Sequence, residues 1–215
     1  MRVGVIGVQG DVEEHIVAMQ QALKTLGLRG EVVSIRRSGI VPSCDALVIP
    51  GGESTTLSRL MLREGIFSEV LEAAERGVPV LGTCAGMVLL AKEGDEEVAK
   101  TGQKLFGLID AKVKRNAFGR QRESFEVALK MPAIGEEPFN AVFIRAPCYV
   151  SVGRGVEVLA KLESEETFKA LNMKKGECIV AARQENVVAV AFHPELTDDL
   201  RLHHYFLQNV AKKAP

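Results

Sequence analysis

The chain has 215 residues, of which 47% are hydrophobic and 26% are charged. This balance is typical of a globular protein with a substantial core. The formal net charge of −1 argues against a nucleic-acid partner that is held by bulk electrostatics. No run approaches the ~20 apolar residues of a membrane span, and the opening apolar run is too short for a signal peptide. We therefore expect a cytoplasmic protein, and four separate reduced thiols without metal-ligand spacing: Cys44, Cys84, Cys148 and Cys178.

The first part of the chain alternates short apolar runs with helical patterns. A predicted first strand over 2–8 is followed by a helix from about Asp11 to Leu26, which Gly27 closes. Further strands are predicted over 31–35, 46–49 and 78–81, with helices around 57–61 and over 66–76. Such alternation predicts a parallel sheet with helices on both faces, and a ligand site at the carboxyl ends of its strands.

Beyond about Asp95 the pattern becomes a succession of strands with weaker helical signals, which predicts antiparallel ribbons beside the parallel core. Glu185-Asn186 is a plausible two-residue hairpin turn, and a final helix is expected after Asp199. We find no repeat and no linker, so residues 1–215 are interpreted as a single domain. The predicted strands cover 105–115, 123–130, 140–144, 156–162, 178–184 and 187–192.

One stretch, Gly82-Thr83-Cys84-Ala85-Gly86, places a cysteine between a predicted buried strand and an apolar, helix-compatible run. This is the pattern of a nucleophile elbow, in which glycines permit a sharp turn from strand to helix. A helix N-terminus favours the thiolate, and the N–H of Ala85 is placed to stabilise an oxyanion. A buried cysteine in a tight turn would have the same sequence, so this stretch alone leaves both readings open.

A cysteine nucleophile needs a base, and His193 is the best candidate because it directly follows a predicted apolar strand. Pro194 disfavours helix for the preceding residue, and in an extended segment His193 and Glu195 would share one face. A carboxylate there would fix the imidazole tautomer and support the imidazolium. The tripeptide could also be an ordinary strand exit. Three other histidines are expected to face solvent or to pack: His15, His203 and His204.

A glycine-bearing loop, Pro50-Gly51-Gly52, follows the predicted strand over 46–49 and falls at the same sheet edge as Cys84. Two independent features therefore indicate one edge of the sheet as the site.

Together, the Cys84 elbow and His193-Pro194-Glu195 resemble the triad of class I glutamine amidotransferases. The resemblance implies an α/β, flavodoxin-like three-layer sandwich whose mostly parallel central sheet carries added antiparallel strands. It also implies the reaction: attack on the side-chain amide of glutamine, a glutamyl thioester, release of ammonia, and hydrolysis to glutamate. The Gly51-Gly52 loop matches the family's oxyanion loop, so the expected oxyanion hole comprises Gly51, Gly52 and Ala85.

Five segments narrow the resemblance to the glutaminase subunits of pyridoxal 5′-phosphate synthase. They are VIGVQGD (5–11), IPGGESTT (49–56), RNAFGRQ (115–121), FIRAP (143–147) and FHPEL (192–196). Arginine suits the α-carboxylate of glutamine, and carbonyl, hydroxyl or carboxylate groups suit its ammonium. Without the resemblance, Arg115 would be one of several charges in a basic run. The resemblance implies that glutamine contacts Gly52, Glu53, Ser54, Arg115, Ile144 and Arg145.

The resemblance further implies a separate synthase subunit, a (β/α)₈ barrel that receives the ammonia and makes pyridoxal 5′-phosphate within a hetero-oligomeric complex acting as a lyase. No metal and no cofactor are expected on this chain, since pyridoxal 5′-phosphate is made on the partner. The glutaminase is expected to be weak alone and activated on docking, when the loop over 50–54 changes conformation.

Other functions fit parts of the pattern. A class I glutaminase of another pathway, such as imidazole glycerol phosphate synthesis, would share the fold and triad. A cysteine-elbow chaperone, protease or deglycase would share the elbow, but such proteins lack a C-terminal His-x-Glu placed like His193 and Glu195. A regulatory domain without activity has no support, since all three triad residues are present.

Overall fold

The structure is a computed structural model that describes residues 1–118, 124–163 and 178–211. In the first part of the chain, strands and helices alternate as expected. The elements are β1 (Arg2–Ile6), α1 (Val12–Thr25), β2 (Glu31–Ile35), β3 (Ala46–Ile49), α2 (Ser54–Arg63), α3 (Ile66–Glu75), β4 (Val80–Thr83) and α4 (Ala85–Leu90).

The later part adds mainly strands, with one short helix near its start and one near its end. These elements are β5 (Ala91–Glu93), α5 (Glu96–Thr101), β6 (Ile109–Lys114), β7 (Ser124–Leu129), β8 (Phe139–Ile144), β9 (Cys148–Val152), β10 (Glu157–Lys161), β11 (Ile179–Gln184), β12 (Val187–Val190) and α6 (Arg201–Tyr205). Short 3₁₀ turns cover Val41–Ser43, Pro132–Ile134 and Pro194–Leu196, and a π-helical segment over Phe206–Ala211 follows α6.

The described strands form one large sheet in the order β2-β1-β3-β4-β12-β11-β9-β6-β5, with β10 paired to β11. Strands β2, β1, β3, β4 and β12 are parallel, and β12 also pairs antiparallel with β11. Strands β7 and β8 form a separate antiparallel ribbon. The predicted α/β fold, with a mostly parallel core and added antiparallel strands, is confirmed.

The parallel strands are buried on both faces because they consist of nearly continuous apolar runs: Val3, Val5 and Ile6 in β1 and all of β3 are fully buried. Helix α1 packs its apolar stripe on this sheet through Val12, Met19 and Leu23. In the described residues, no helix is long and apolar enough to cross a membrane.

Several boundaries differ from the predictions. The strand predicted over 105–115 begins only at Ile109. Before it, the N–H groups of Phe106 and Gly107 donate to the carbonyls of Leu89, in α4, and of Ala91, at the start of β5. Strands β5 and β9 and helix α5 were not predicted. For the strand predicted over 123–130, the predicted first residue, 123, lies outside the described residues. The assignment of 1–215 to a single domain stays a prediction.

Two of the three histidines that were expected to face solvent or to pack are fully buried. The ring of His15 in α1 is hydrogen-bonded rather than packed among apolar groups, with Nε2 at 2.9 Å from the Thr83 hydroxyl. His203 in α6 is also buried, whereas His204 is half-buried and lies 2.8 Å from the hydroxyl of Thr25. The Glu185-Asn186 hairpin between β11 and β12 is confirmed.

Candidate active site

Cys84 lies in the turn between β4 and α4, where the sequence predicts a nucleophile elbow. Its backbone has φ 46° and ψ −101°, a conformation that non-glycine residues rarely adopt. The Cys84 N–H donates to the carbonyl of Val190 at 2.8 Å, which fixes the turn to β12. A Cβ at Gly86 would collide with the carbonyl of Ile49. Glycine is therefore required where the elbow passes the neighbouring strand.

The Cys84 thiol is nearly buried and opens onto a cavity. Its Sγ lies 3.7 Å from the carbonyl oxygen of Ile144, at the end of β8. The thiol and the His193 ring line the same cavity, and the neighbouring thiol raises the pKa of His193. The sulfur is thus close to a base and is partly held by a backbone carbonyl.

His193 and Glu195 form a tight pair, with Nδ1 of the imidazole 2.6 Å from Oε1 of the carboxylate. Both residues are buried, and the backbone N–H of His193 donates to the carbonyl of Val142 at 2.8 Å. The pairing arises in the 3₁₀ turn Pro194–Leu196, whereas the sequence predicts an extended segment. The side chains of His193 and Glu195 are therefore adjacent as expected, but the predicted reason, alternation along an extended segment, was wrong.

The electrostatics of His193 favour the imidazolium. Burial by itself lowers the pKa of His193, but hydrogen bonds with Asp11, Cys84 and Glu195 outweigh it and raise this pKa to about 12. Asp11 is a participant that the sequence reasoning missed: its Oδ2 lies 3.3 Å from His193 Nδ1. The hydrogen bond to His193 lowers the pKa of Asp11. Its place directly after Gly10, at a strand-to-helix turn, was the available signal.

The same three residues bring metal-ligand atoms within 4.8 Å of one another: Asp11, His193 and Glu195. The 2.6 Å contact engages Nδ1 in a hydrogen bond, so this geometry fits an oriented base better than a metal ligand. The expectation that the chain carries no metal and no cofactor stays a prediction.

The loop over 51–54 lies against the base. A Cβ at Gly51 would collide with the His193 ring, and Gly52 has φ +137° with the Gln9 amide close by. The N–H of Glu53 donates to Oε1 of Gln9 at 3.1 Å. The predicted oxyanion residues Gly51 and Gly52 therefore lie beside the catalytic pair, and Ala85 begins α4 immediately after Cys84.

Glu53 caps α2 and pairs with Arg115. Its carboxylate accepts from the N–H groups of Thr55 and Thr56 at 3.0 and 2.6 Å, and from Arg115 at 3.2 Å. Burial would raise the pKa of Glu53, but the hydrogen bonds with Thr56 and Thr55 lower it to about 2. Glu53 is therefore an anion beside the cavity at every physiological pH.

Gln103 joins this network and was missed by the sequence reasoning. Its Oε1 lies 3.1 and 3.2 Å from the hydroxyls of Ser54 and Thr55, and 3.3 Å from the Arg115 guanidinium. The residue lies in an irregular stretch between α5 and β6 and matches no motif, so the sequence offered no signal.

These groups surround one cavity of about 370 Å³, a size suited to a small metabolite. Every predicted site residue lines it except Gly51 and Glu195, which lie behind the wall. Ile144 ends β8, and the exposed Arg145 has φ 42°. The matching segment over 115–121 leaves the described residues after Phe118. The lining consists of Gln9, Asp11, Gly52, Glu53, Ser54, Cys84, Ala85, Val88, Arg115, Asn116, Ile144, Arg145, Pro147 and His193.

Comparison with known proteins places the chain in a family. A relative from Archaeoglobus fulgidus, named pyridoxal 5′-phosphate synthase subunit PdxT, is 59% identical over 97% of this chain and 98% of its own length. A relative of the same name from Methanocella arvoryzae is 60% identical over 98% of each chain. A solved glutamine amidotransferase is 44% identical over 98% of each chain, with a TM-score of 0.80. The structure of PurLQS from Thermotoga maritima, at 15% identity and a TM-score of 0.64, shares the fold.

The model of the SNO glutamine amidotransferase family matches residues 5–212, nearly the whole chain. That match and the two relatives each cover the elbow, the base and the loop. The chain belongs to the SNO glutamine amidotransferase family.

Proposed function

We propose that this chain hydrolyses L-glutamine to L-glutamate and ammonia, and that it delivers the ammonia to a separate synthase subunit that makes pyridoxal 5′-phosphate. The observation that carries the hydrolysis is the position of the His193 ring, which is hydrogen-bonded to Glu195 at 2.6 Å and lines the same cavity as Cys84. The high identity to relatives named as synthase subunits supports the pathway.

In the proposed acylation step, the Cys84 thiolate attacks the side-chain carbonyl carbon of glutamine. The new C–S bond places negative charge on the carbonyl oxygen, and the N–H of Ala85 and the loop over 51–52 supply its donors. The carbon–nitrogen bond then breaks as the His193 imidazolium gives its proton to the leaving nitrogen, which departs as ammonia. Glu195 keeps the imidazole oriented through Nδ1.

In the second step, water attacks the glutamyl thioester. The neutral His193 ring takes a proton from this water, and the C–S bond breaks as the sulfur leaves as thiolate. The imidazolium is regenerated beside the thiolate. The site returns to the ion pair from which it started.

The network around Arg115 suits the other end of glutamine. Free glutamine carries an α-carboxylate and an α-ammonium, and the cavity already holds a cation and an anion side by side in Arg115 and Glu53. The carboxylate would pair with the Arg115 guanidinium and the ammonium with the Glu53 carboxylate. Ser54, the loop over 51–54 and the segment Ile144-Arg145 supply the remaining polar groups around the substrate.

The partner completes the proposal. We assign the receiving subunit as a (β/α)₈ barrel in a hetero-oligomeric complex in the cytoplasm, and expect docking to set the loop over 50–54. Gly52, with φ +137°, is where a peptide could rotate without strain. A glutaminase for another pathway would share the triad, but the relatives' names do not favour it.

The test measures glutamate and ammonia release by the wild type and by Cys84→Ala, each with and without the synthase subunit. We expect hydrolysis by the wild type mainly in the complex, and a loss of at least ~10⁴-fold in Cys84→Ala with glutamine binding retained. Cys44→Ala is the matched control, because Cys44 and Cys84 are 6% and 7% exposed. Hydrolysis by Cys84→Ala, or none by the wild-type complex, would refute the proposal.

A further inference from the structure

Glu195 has a second carboxylate oxygen that the triad does not use. Oε1 accepts from His193, while Oε2 is buried and, among the described residues, makes no hydrogen bond of good geometry. Nε2 of His15 lies 3.4 Å from Oε2. A buried carboxylate oxygen without a donor is costly, so the identity of this neighbour matters.

His15 lies in the first turn of α1. This helix packs against the 3₁₀ turn Pro194–Leu196, which brings the His15 ring close to Glu195. Its side chain is fully buried, and Nε2 also lies 2.9 Å from the Thr83 hydroxyl. Thr83 directly precedes Cys84. One imidazole therefore lies between the carboxylate of the triad and the strand end that holds the nucleophile.

The protonation of His15 follows from its surroundings. The groups facing it are Asp11 and Glu14 from α1, His193 and Glu195 from the 3₁₀ turn, and His203 from α6. Burial lowers the pKa of His15 more than Glu195 and the other acids raise it, so the ring is neutral at pH 7. A neutral ring carries one N–H. Placed on Nε2, this N–H sits on the nitrogen that lies 2.9 Å from the Thr83 hydroxyl oxygen and 3.4 Å from Oε2 of Glu195. Placed on Nδ1, it would meet no acceptor among the described residues.

We infer that His15 is a positioning residue, whose Nε2–H donates to Oε2 of Glu195 and holds that carboxylate against His193. With Oε1 and Oε2 both engaged, the carboxylate cannot rotate away from the imidazole. The thiolate–imidazolium pair then forms at lower pH than it would beside a loosely held carboxylate. The kinetic part of this inference rests on the proposed function, whereas its effect on thiol reactivity does not.

Three substitutions of His15 separate hydrogen-bond donation from mere filling of space. In His15→Gln the side-chain amide reaches the position of Nε2, whereas in His15→Asn it reaches only the position of Nδ1. His15→Leu fills the space without a donor. His203→Leu is the matched control, because His203 is equally buried and its ring has no hydrogen-bond partner among the described residues.

The first measurement is the rate of Cys84 alkylation by iodoacetamide as a function of pH, followed by mass spectrometry of the Cys84 peptide. We expect the midpoint of the profile to move up by about 1 pH unit in His15→Leu and His15→Asn, and to stay near wild type in His15→Gln and His203→Leu. The three other cysteines are buried in the core.

The second measurement is glutamine hydrolysis in the complex with the synthase subunit. His15→Leu and His15→Asn should lower kcat by about 10-fold to 100-fold and leave KM within about 2-fold, because only the base is misplaced. An unshifted alkylation profile in both variants would overturn the inference, as would His15→Gln behaving like His15→Asn. If the wild-type complex hydrolyses no glutamine, the proposed function fails, and the alkylation profiles still decide the role of His15.

Discussion

The two walls of the cavity differ in what holds their side chains. The buried wall is formed by Cys84 and His193, with Glu195 behind them, and these three residues are at most 8% exposed and are held by core strands. The loop wall, formed by residues 51–54 and Arg115, is fixed mainly by polar contacts at the surface, where the Glu53 side chain is 50% exposed. Core packing sets the reacting groups in advance, whereas surface contacts can be exchanged. The groups proposed to react are therefore held in place by the core, whereas the contacts proposed to bind the substrate can change.

The largest effect should come from a change that moves the loop wall alone. Gly10 has φ +103°, and a Cβ there would collide with the carbonyl of Gly51. We expect Gly10→Ala to lower kcat of the complex by about 10²-fold to 10³-fold, because an oxyanion donor is displaced. The alkylation rate of Cys84 should stay near wild type, as the buried wall is untouched.

The control for Gly10→Ala is Gly27→Ala. Gly27 has φ +64° but open space around its Cβ position, so it shares the backbone strain without the collision. Equal losses of activity in the two variants would mean that strain, rather than the loop position, accounts for the effect. A parallel loss of Cys84 reactivity in Gly10→Ala would mean that the two walls are not separable.

A smaller effect is expected from the ion pair in the loop wall. Arg115→Gln removes the cation that faces the substrate carboxylate, and should raise KM for glutamine by about 10-fold to 100-fold with little change in kcat. Lys112→Ala, which removes an exposed cation from β6, the strand that precedes Arg115, is the control and should change neither constant. A fall in kcat with unchanged KM would contradict the assignment of Arg115 to substrate binding.

The smallest effect concerns the acid sensitivity of the core behind the buried wall. Burial lowers the pKa of His203 from 6.5 to about 3, so between these pH values the unfolded chain binds a proton that the folded chain does not. Stability should therefore fall as pH drops from about 6.5 towards 3, with His203 contributing up to ~1.4 kcal/mol per pH unit. The free energy of unfolding, measured with urea between pH 4.5 and 7.5, should depend less steeply on pH in His203→Leu than in the wild type.

The control for this slope is His204→Leu, since His204 is adjacent in sequence but only half-buried. Its removal should leave the pH dependence of the free energy of unfolding close to that of the wild type. An unchanged slope in His203→Leu would contradict a buried neutral imidazole at this position.

The sequence was most informative where a residue type has one physical use. Strand–helix alternation predicted the parallel half, and the glycines around Cys84 predicted the elbow, because a turn that passes Ile49 this closely excludes a Cβ. It was least informative where a role depends on tertiary proximity. No local sequence pattern indicates that His15 lies against Glu195. The same is true of Gln103, whose side-chain oxygen is hydrogen-bonded to Ser54, Thr55 and Arg115.

The hairpin ribbons show the same limit. Strand β9 lies between β6 and β11 in the sheet. The sequence predicts both of these neighbouring strands, but it does not predict β9. The pairing of His193 with Glu195 was expected from alternation along an extended segment, yet it forms in a 3₁₀ turn. Proximity along the chain predicted the contact, but the backbone conformation that makes it depended on the surrounding fold.

Strand β12 lies between β4 and β11, so Val80 pairs with Val187, about half the chain length away in sequence. Contacts so distant in sequence form slowly, because a long loop must close before they contribute any stability. During synthesis, the segment carrying Cys84 leaves the ribosome long before the segment carrying His193. The thiol therefore remains without the His193 imidazole until the last strand of the parallel core is in place.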